Sequence, residues 1–155
     1  MHHQIATNGM ESEVLTDRAK SVLADAGIRE TATRILVLRE ILECDCAFTL
    51  ADMEERVLTL DKSTLCRNLN LFLKHHILHE VDNDNGCKMY CRCSCGTKHG
   101  LSQIHFTCLS CRKTFCIRGL IADFDSIALP HLDGYDVMEV NYVLKGLCPN
   151  CKQKE

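Results

Sequence analysis

The stretch Cys87–Cys116, CKMYCRCSCGTKHGLSQIHFTCLSCRKTFC, contains seven of the twelve cysteines of the chain and two of its eight histidines. It includes the pair Cys108-Leu-Ser-Cys111, and a second pair of the same spacing, Cys148-Pro-Asn-Cys151, follows it. A CxxC pair closes a tight turn with two thiolates on one side, and two such pairs supply the four ligands of tetrahedral Zn2+. The spacing therefore predicts one zinc that ties the later part of the chain to its middle and stabilises the fold.

The interval between the two pairs is longer than in a simple zinc ribbon and predicts a strand–helix–strand segment there. A closed four-sulfur shell leaves no position open for a substrate, so we expect this zinc to be structural. The functional question falls on the cysteines and histidines outside the two pairs.

Length and composition favour an ordinary globular protein. The chain has 155 residues, 46% of them hydrophobic and 25% charged, which is enough for one domain or two small ones. No apolar run approaches the roughly 18 residues of a membrane span, and the first residues have no signal-peptide pattern. We therefore expect a cytoplasmic protein without a membrane partner, in which many cysteines indicate metal. A secreted disulfide scaffold is the alternative.

The formal net charge is −3, and its distribution is uneven. Residues 1–90 carry ten Lys and Arg against fifteen Asp and Glu, whereas residues 91–155 carry eight against six. A protein that holds nucleic acid by bulk charge is basic as a whole, so any DNA contact here must depend on a local patch.

Two helices are predicted near the start of the chain. After a loose tail at residues 1–11, Thr16 is placed to cap a helix that ends near Ala26, with Gly27 as its C-terminal stop. Thr31 begins a second helix that runs to about Glu43 and follows the helical period of apolar residues.

Two further helices follow. Thr49-Leu-Ala-Asp52 has the form of a capping box and begins a short third helix. Asp61 or Ser63 caps a fourth helix that runs to about His75, with one apolar face formed by Leu65, Leu69, Phe72 and Leu73. The run from Lys62 to His79 contains no acid, and its polar residues off the apolar face are predicted to be Thr64, Arg67, Asn68 and Lys74.

A hairpin is predicted after the fourth helix, with strands at Ile77–Val81 and Cys87–Cys91 and a turn at Asp82–Gly86. Helices followed by a hairpin predict a winged helix-turn-helix over residues 1–91, with one additional N-terminal helix. In such a domain the fourth helix enters the major groove and the hairpin is the wing.

Residues 92–103 are predicted to be a hinge linker, and residues 104–155 a small C-terminal α/β domain. The predicted elements of that domain are strands Ile104–Cys108 and Lys113–Arg118, helix Leu120–Leu129 and strand Tyr135–Leu144. About fifty residues form a small core, so we expect zinc, and pairing of the sheet with a second copy, to stabilise it. The fold class is therefore α+β.

These motifs together resemble one known family. The order and spacing of five segments are similar to those of the ferric uptake regulator (Fur) family over about residues 16–152. The segments are Thr31-Ala-Thr-Arg34, Ser63–Asn70, Asp84-Asn-Gly86, His105–Cys111 and Gly146–Cys151. The resemblance implies a homodimeric, metal-responsive transcriptional repressor that binds operator DNA, with an N-terminal winged helix and a C-terminal dimerisation domain.

The resemblance also implies site residues. The structural zinc positions fall on Cys108, Cys111, Cys148 and Cys151. Arg34 falls where the family contacts the DNA backbone, and Thr64 and Arg67 fall on the recognition helix. The family usually has a tyrosine where this chain has Cys66, which reaches less far and cannot stack. With the acid-free run, the predicted DNA contacts are Arg34, Lys62, Thr64, Arg67, Asn68 and Lys74.

A second, regulatory metal lies between the domains in this family. The matching positions are His79, Cys91, Cys116 and either His99 or His105, with Cys93 as a further candidate. Cysteines make this set softer than the carboxylate-containing sets of iron and manganese sensors, which favours Zn2+ and the zinc-sensing branch. Fe2+, with iron-responsive or peroxide-responsive regulation, is the alternative.

Three functions are distinguished. The first is a DNA-binding regulator without catalysis or a small-molecule substrate. The second is a thiol enzyme, but Cys108–Cys111 lies between strand-like runs rather than at the start of a helix after a strand. The third is a zinc-stapled interaction module that does not bind DNA.

His75 and His76 are expected to be capping or solvent-exposed groups at the end of the fourth helix.

Overall fold

The computed structural model describes residues 5–81, 86–92, 102–117, 134–136 and 140–154. The chain divides into two compact units, residues 1–93 and residues 94–155. The first unit contains α1 (Ile5–Asp25), α2 (Ala32–Glu43), β1 (Phe48–Thr49), α3 (Leu50–Arg56), α4 (Lys62–Lys74), β2 (Leu78–Val81) and β3 (Met89–Arg92). The second contains β4 (Ser102–Cys108), β5 (Thr114–Cys116), β6 (Val140–Gly146) and α5 (Pro149–Lys152). The predicted α+β class is confirmed.

Helix α1 begins earlier than predicted. A loose tail at residues 1–11 and a cap at Thr16 were wrong, because the helix already starts at Ile5. The Thr16 hydroxyl instead donates to the Ser12 carbonyl, 2.8 Å away, inside the helix. Residues 10–15 contain Met, Glu and Leu and no proline, so nothing ends the helix there. Ser12 also accepts a 2.8 Å hydrogen bond from the Arg39 guanidinium, which holds this part of α1 to α2.

The predicted stop of α1 at Gly27 is confirmed. Gly27 adopts φ 68°, a left-handed conformation that glycine reaches without a steric cost. The Gly27 amide donates to Ala24, and the Ile28 amide donates to the Leu23 carbonyl at 2.8 Å. These two bonds form a Schellman motif that satisfies carbonyls at the helix end.

The predicted caps of the next three helices are confirmed, with Asp61 rather than Ser63 at the start of α4. Thr31 caps α2 by accepting from the Arg34 amide. The Thr49 amide donates to the Asp52 carboxylate at 2.7 Å, and the Asp52 amide donates to the Thr49 hydroxyl, which completes the capping box. These helix starts are therefore determined by local sequence.

The helices of the first unit enclose one apolar core. Its fully buried side chains include Leu23, Leu38, Ile41, Met53, Leu65, Leu69 and Phe72. Burial of each such side chain stabilises the fold by about 1.5–3 kcal/mol. Asn68 was predicted to lie off the apolar face of α4, and this was wrong, because it is 7% exposed. Its amide can be buried because it donates a 2.8 Å hydrogen bond to the Thr64 carbonyl.

A three-stranded sheet, in the order β1–β3–β2, completes the winged helix. Strands β2 and β3 are antiparallel, with His79 opposite Cys91, as the predicted hairpin requires. Strand β1 was not predicted; it pairs with β3 and places Phe48 opposite Tyr90. The predicted turn falls mainly on residues 82–85, which lie outside the described residues.

The second unit contains the sheet β5–β4–β6, in which β4 is antiparallel to β5 and parallel to β6. The first two predicted strands are present. The third was placed wrongly: Tyr135 and Asp136 are not in a strand, and β6 continues to Gly146 because it pairs with β4 as far as Cys108. The predicted helix Leu120–Leu129 and most of the predicted linker lie outside the described residues. Within the described part of the chain, no helix combines the length and apolarity of a membrane span.

The end of α4 carries a strained residue that offers a stability test. His76 adopts φ 57°, while its amide and that of Ile77 donate to carbonyls in the last turn of the helix. A non-glycine residue in this conformation costs roughly 1–2 kcal/mol. We expect His76→Gly to raise the free energy of unfolding by about 1 kcal/mol in urea denaturation, with His76→Ala as the matched control that keeps the strain. Equal stability of the two variants would contradict this.

Candidate metal centres and nucleic-acid interface

The two CxxC pairs meet at one end of the second sheet. Because β4 and β6 are parallel and Cys108 lies opposite Gly146, the C-terminal ends of both strands lie side by side. The turn after β4 carries Cys111, and Cys148 immediately precedes α5, which carries Cys151. All four sulfur atoms lie within 4.8 Å of one another, and the Cys111 and Cys148 sulfurs are 3.9 Å apart.

Hydrogen bonds from backbone amides and neighbouring thiols shift the pKa values of two cysteines in this cluster. The Cys148 amide donates to the Cys108 sulfur at 3.4 Å, and this hydrogen bond, with that from the Cys111 amide, lowers the pKa of Cys108 to about 6. The pKa of Cys151 is raised to about 11: the Ser110 hydrogen bond acts to lower it, but the neighbouring thiols of Cys148, Cys108 and Cys111 outweigh that contact. The amide donors thus favour the thiolate form of Cys108, which is the form that binds a metal cation.

The donor chemistry of the cluster fits zinc. Four thiolates at tetrahedral spacing, with Cys108 and Cys148 buried, match a closed structural Zn2+ site. None of the described cysteines forms a disulfide, so each sulfur of the cluster keeps its ability to bind metal.

A histidine and a cysteine face each other across the wing. His79 on β2 is the direct antiparallel partner of Cys91 on β3, and their candidate ligand atoms lie within 4.8 Å. Cys91 is buried and His79 is half-buried. The pair supplies one nitrogen and one sulfur ligand from neighbouring strands.

The second unit presents a pair of the same chemistry. His105 on β4 is the antiparallel partner of Cys116 on β5, again with ligand atoms within 4.8 Å. His105 is 2% exposed. Of the two histidines predicted for this position, the structure places His105 opposite Cys116, whereas His99 and the further candidate Cys93 lie outside the described residues.

The remaining described cysteines do not gather further ligands. Cys44, Cys46, Cys66 and Cys87 belong to no group of three or more candidate metal ligands in the described ranges. The Cys44 thiol donates to the Glu40 carbonyl at 3.3 Å, and burial raises its pKa. These surroundings favour a protonated structural thiol at Cys44 over a metal ligand.

The solvent face of α4 carries a continuous polar stripe. Its exposed members are Ser63, Arg67, Asn70 and Lys74, at spacings i, i+4, i+7 and i+11, opposite the buried face of the helix. Lys62 is also exposed. Asn70 was not among the predicted contacts, although its spacing from Arg67 could have indicated it. The predicted contact Asn68 is instead part of the buried face.

A concavity of about 270 Å³ lies beside the stripe, between the start of α2 and α4. Its lining includes two arginines and no acidic residue: Thr31, Thr33, Arg34, Thr64, Arg67, Asn68 and Leu71. The Arg34 guanidinium donates to the Arg29 carbonyl at 2.6 Å, and the Arg67 Nε donates to the Ser63 carbonyl at 3.3 Å. These bonds hold both guanidinium groups at the lining of the concavity, where they suit an anionic ligand.

The Asp61 carboxylate fixes the start of α4. It accepts from the Thr64 hydroxyl at 2.7 Å and from the Thr64 amide at 2.9 Å, and these bonds lower the pKa of Asp61. The cap therefore stabilises the helix above the ordinary carboxyl pKa, and this contribution is lost as the pH falls through the lowered value. The Thr64 hydroxyl is oriented toward Asp61 rather than outward.

Solved structures show the same arrangement of elements. A zinc uptake regulator complexed with zinc and DNA has 21% identity and a TM-score of 0.69, and the match covers 92% of this chain and 96% of that protein. The chain has the fold of the Fur family. A holo Zur protein, XcZur, matches with 17% identity over 92% of this chain and 99% of that one, at a TM-score of 0.67. The Vibrio cholerae ferric uptake regulator matches with 19% identity over 83% and 98%, at 0.58.

These likenesses confirm the fold that the resemblance of the sequence motifs implied. The chain shares the Fur fold over most of its length. No family model matches the chain.

Proposed function

We propose that the protein is a zinc-responsive, DNA-binding transcriptional repressor that acts as a homodimer. The observation that carries this proposal is the presence of one His–Cys pair in each unit of a chain with the Fur fold. Two imidazoles and two thiolates form a ligand set without carboxylates, which suits zinc better than ferrous iron. The zinc uptake regulator of the same fold was solved with zinc and DNA.

The DNA-binding surface is the polar stripe of α4 together with the start of α2. Arg67 and Lys74 extend from the exposed face, and Lys62 lies at the helix start. Arg34, beside the concavity, contacts the phosphate backbone. Thr64 lies at the edge of this surface, and Asn68 supports it from the buried side, where its amide donates to the Thr64 carbonyl. A local cationic face on an otherwise acidic unit permits major-groove docking without bulk charge.

The four-cysteine cluster holds the structural zinc. Its shell is complete without water or substrate, so this metal stabilises the second unit and takes no part in regulation. The regulatory metal binds elsewhere.

A second metal joins the two His–Cys pairs. Each pair offers two ligands, which is half of a tetrahedral shell, so among the described residues the two pairs together supply the four ligands of one Zn2+. A metal shared between the units fixes the angle between them. That angle sets the distance between the two recognition helices of a dimer, which must match half-sites about one helical turn apart.

Among the described strands of the second sheet, the edge position of β6 supports dimerisation. Strand β6 lies at the edge, and its Val143 and Leu144 side chains are 44% and 49% exposed. An exposed apolar edge strand favours pairing with another chain. A second copy of β6 would cover these side chains.

The function is tested by selecting binding sites from a random duplex library with the full-length protein. The zinc-loaded protein is expected to enrich one palindromic motif, and the protein with its exchangeable metal removed is expected to enrich none. Enrichment that does not depend on metal would contradict the regulatory proposal. Absence of any enriched motif with zinc or ferrous iron would leave the zinc-stapled interaction module as the remaining function.

The selected motif provides a direct test of α4. Arg67→Ala is expected to weaken binding to the motif by about 1–3 kcal/mol, because an arginine in the groove forms bidentate hydrogen bonds with guanine. Arg18→Ala is the matched control, since Arg18 is an exposed arginine on α1, outside the proposed interface. Titration in gel shifts at fixed salt measures both. Equal affinities of the two variants would show that α4 does not enter the groove.

A further inference from the structure

Asn70 occupies the centre of the exposed stripe of α4. It lies three residues after Arg67 and four before Lys74, and all three are exposed. At 3.6 residues per turn these side chains project within one narrow sector of the helix. The opposite sector contains the buried residues Leu65, Leu69 and Phe72. Any duplex that Arg67 reaches from this helix therefore also faces Asn70.

The side-chain chemistry of Asn70 is suited to a base edge. An asparagine amide offers one acceptor and two donors in a plane, which complements the N6 donor and N7 acceptor of adenine in the major groove. A phosphate presents only acceptors, so it bonds with the amide donors and leaves the amide acceptor unused. The neighbouring Cys66 is half-buried and has a weakly hydrogen-bonding thiol, so it does not compete for the same base.

The spacing on the helix relates Asn70 to Arg67. Three residues correspond to about 4.5 Å along a helix axis, close to the separation of roughly 3.4 Å between successive base pairs. Side chains at this distance on one stripe reach neighbouring base pairs.

We propose that Asn70 is a specificity-determining residue that reads an adenine adjacent to the base pair read by Arg67. This inference rests on the proposed DNA-binding function and assigns a base contact to a residue outside the predicted set. Asn68, which also lies on α4, is excluded from this role because it is buried and its amide donates to the Thr64 carbonyl.

The test compares motifs selected from a random duplex library by zinc-loaded parent, Asn70→Ala and Lys74→Ala proteins of full length. Asn70→Ala is expected to lose the adenine preference at one position of each half-site and to keep the others. Lys74→Ala is the matched control on the same stripe, expected to keep the motif and bind all sequences more weakly, as loss of a phosphate contact requires. Matching circular dichroism spectra of the three proteins establish equal folding.

Atomic changes in the DNA then identify the contact. Replacing that adenine by 7-deazaadenine removes the N7 acceptor, which is one of the two hydrogen bonds, and is expected to weaken the parent about 5-fold, the lower end of the range for a bidentate contact. Asn70→Ala should bind both duplexes equally. An unchanged motif for Asn70→Ala, or a uniform loss over all sequences, would overturn the assignment. Failure of the parent to select any motif would instead overturn the proposed function, and this inference with it.

Discussion

Replacement of Cys108 or Cys148 by serine is expected to remove the structural zinc and to unfold the second unit. Structural zinc binds small domains with about 10–16 kcal/mol at neutral pH, whereas whole domains are stable by about 5–15 kcal/mol. Loss of the metal therefore exceeds the stability that the remaining core can supply. Serine keeps the volume of the side chain, so the loss reports on the metal rather than on packing.

Metal analysis after gel filtration measures both consequences. Each variant is expected to elute as a monomer that contains no structural zinc. Its circular dichroism spectrum should show a loss of strand content. Cys87→Ser is the matched control, because Cys87 is exposed and lies outside both groups of candidate ligands. A Cys108→Ser protein that retained the zinc through mild chelation, or remained dimeric, would contradict the proposed role of the cluster.

Replacement of Cys91 or Cys116 by alanine is expected to abolish the metal dependence of DNA binding while leaving the structural zinc in place. Each change removes one of four ligands of the proposed regulatory site. Loss of a residue that merely orients a ligand costs about 10–100-fold in metal affinity, and loss of the ligand itself should cost more. With the shell incomplete, the proposed regulatory metal binds weakly and specific binding falls.

The measurement is a titration of metal-depleted protein with buffered zinc and buffered ferrous iron at cellular free concentrations, followed by binding to the selected motif. Zinc is expected to restore DNA binding by the parent and by Cys87→Ala. It is not expected to restore DNA binding by Cys91→Ala or Cys116→Ala. Buffering is essential because zinc exceeds ferrous iron in affinity at most sites of this kind. Restoration by iron alone would assign the protein to iron regulation, and a normal response of both cysteine variants would place the site on other residues.

Local signals predicted most of the first unit. The caps at Thr31, Thr49 and Asp61 and the stop at Gly27 each depend on a few neighbouring residues, which can be read directly from the sequence. The start of α1 could not be read in this way. Residues 9–14 are mostly exposed, so the apolar periodicity that would indicate a helix is weak there, and the hydrogen bond from Arg39 to Ser12 joins residues distant in sequence.

The differences within the sheets have a similar cause. Strand β1 has two residues, Phe48 and Thr49, too few for a periodic pattern, and it exists because β3 pairs with it. The limits of β6 are determined by its parallel pairing with β4. They therefore differ from the limits that the alternation of apolar residues predicted. Long-range pairing of this kind is absent from any local window of sequence.

The candidate sites were predictable to the extent that they depend on spacing. The four cysteines of the closed cluster followed from two CxxC motifs, and the structure brings their sulfurs together. The position of His105 opposite Cys116 depends on strand register, which only the pairing of β4 with β5 provides. Asn68 and Asn70 are two residues apart on one helix, and only the packing of α4 on its neighbours decides which of them meets solvent.

The parallel pairing of β4 with β6 has a consequence for how the protein is made. Cys108 and Cys148 are separated by 40 residues, so a nascent chain that has emerged only through β5 holds half of the four-sulfur shell. Zinc can be captured firmly only after β6 and the turn beyond it leave the ribosome. Until then the edge of β4 lacks its neighbour and is open to proteases and to other chains. Severe zinc shortage would therefore reduce the amount of folded protein in the cell.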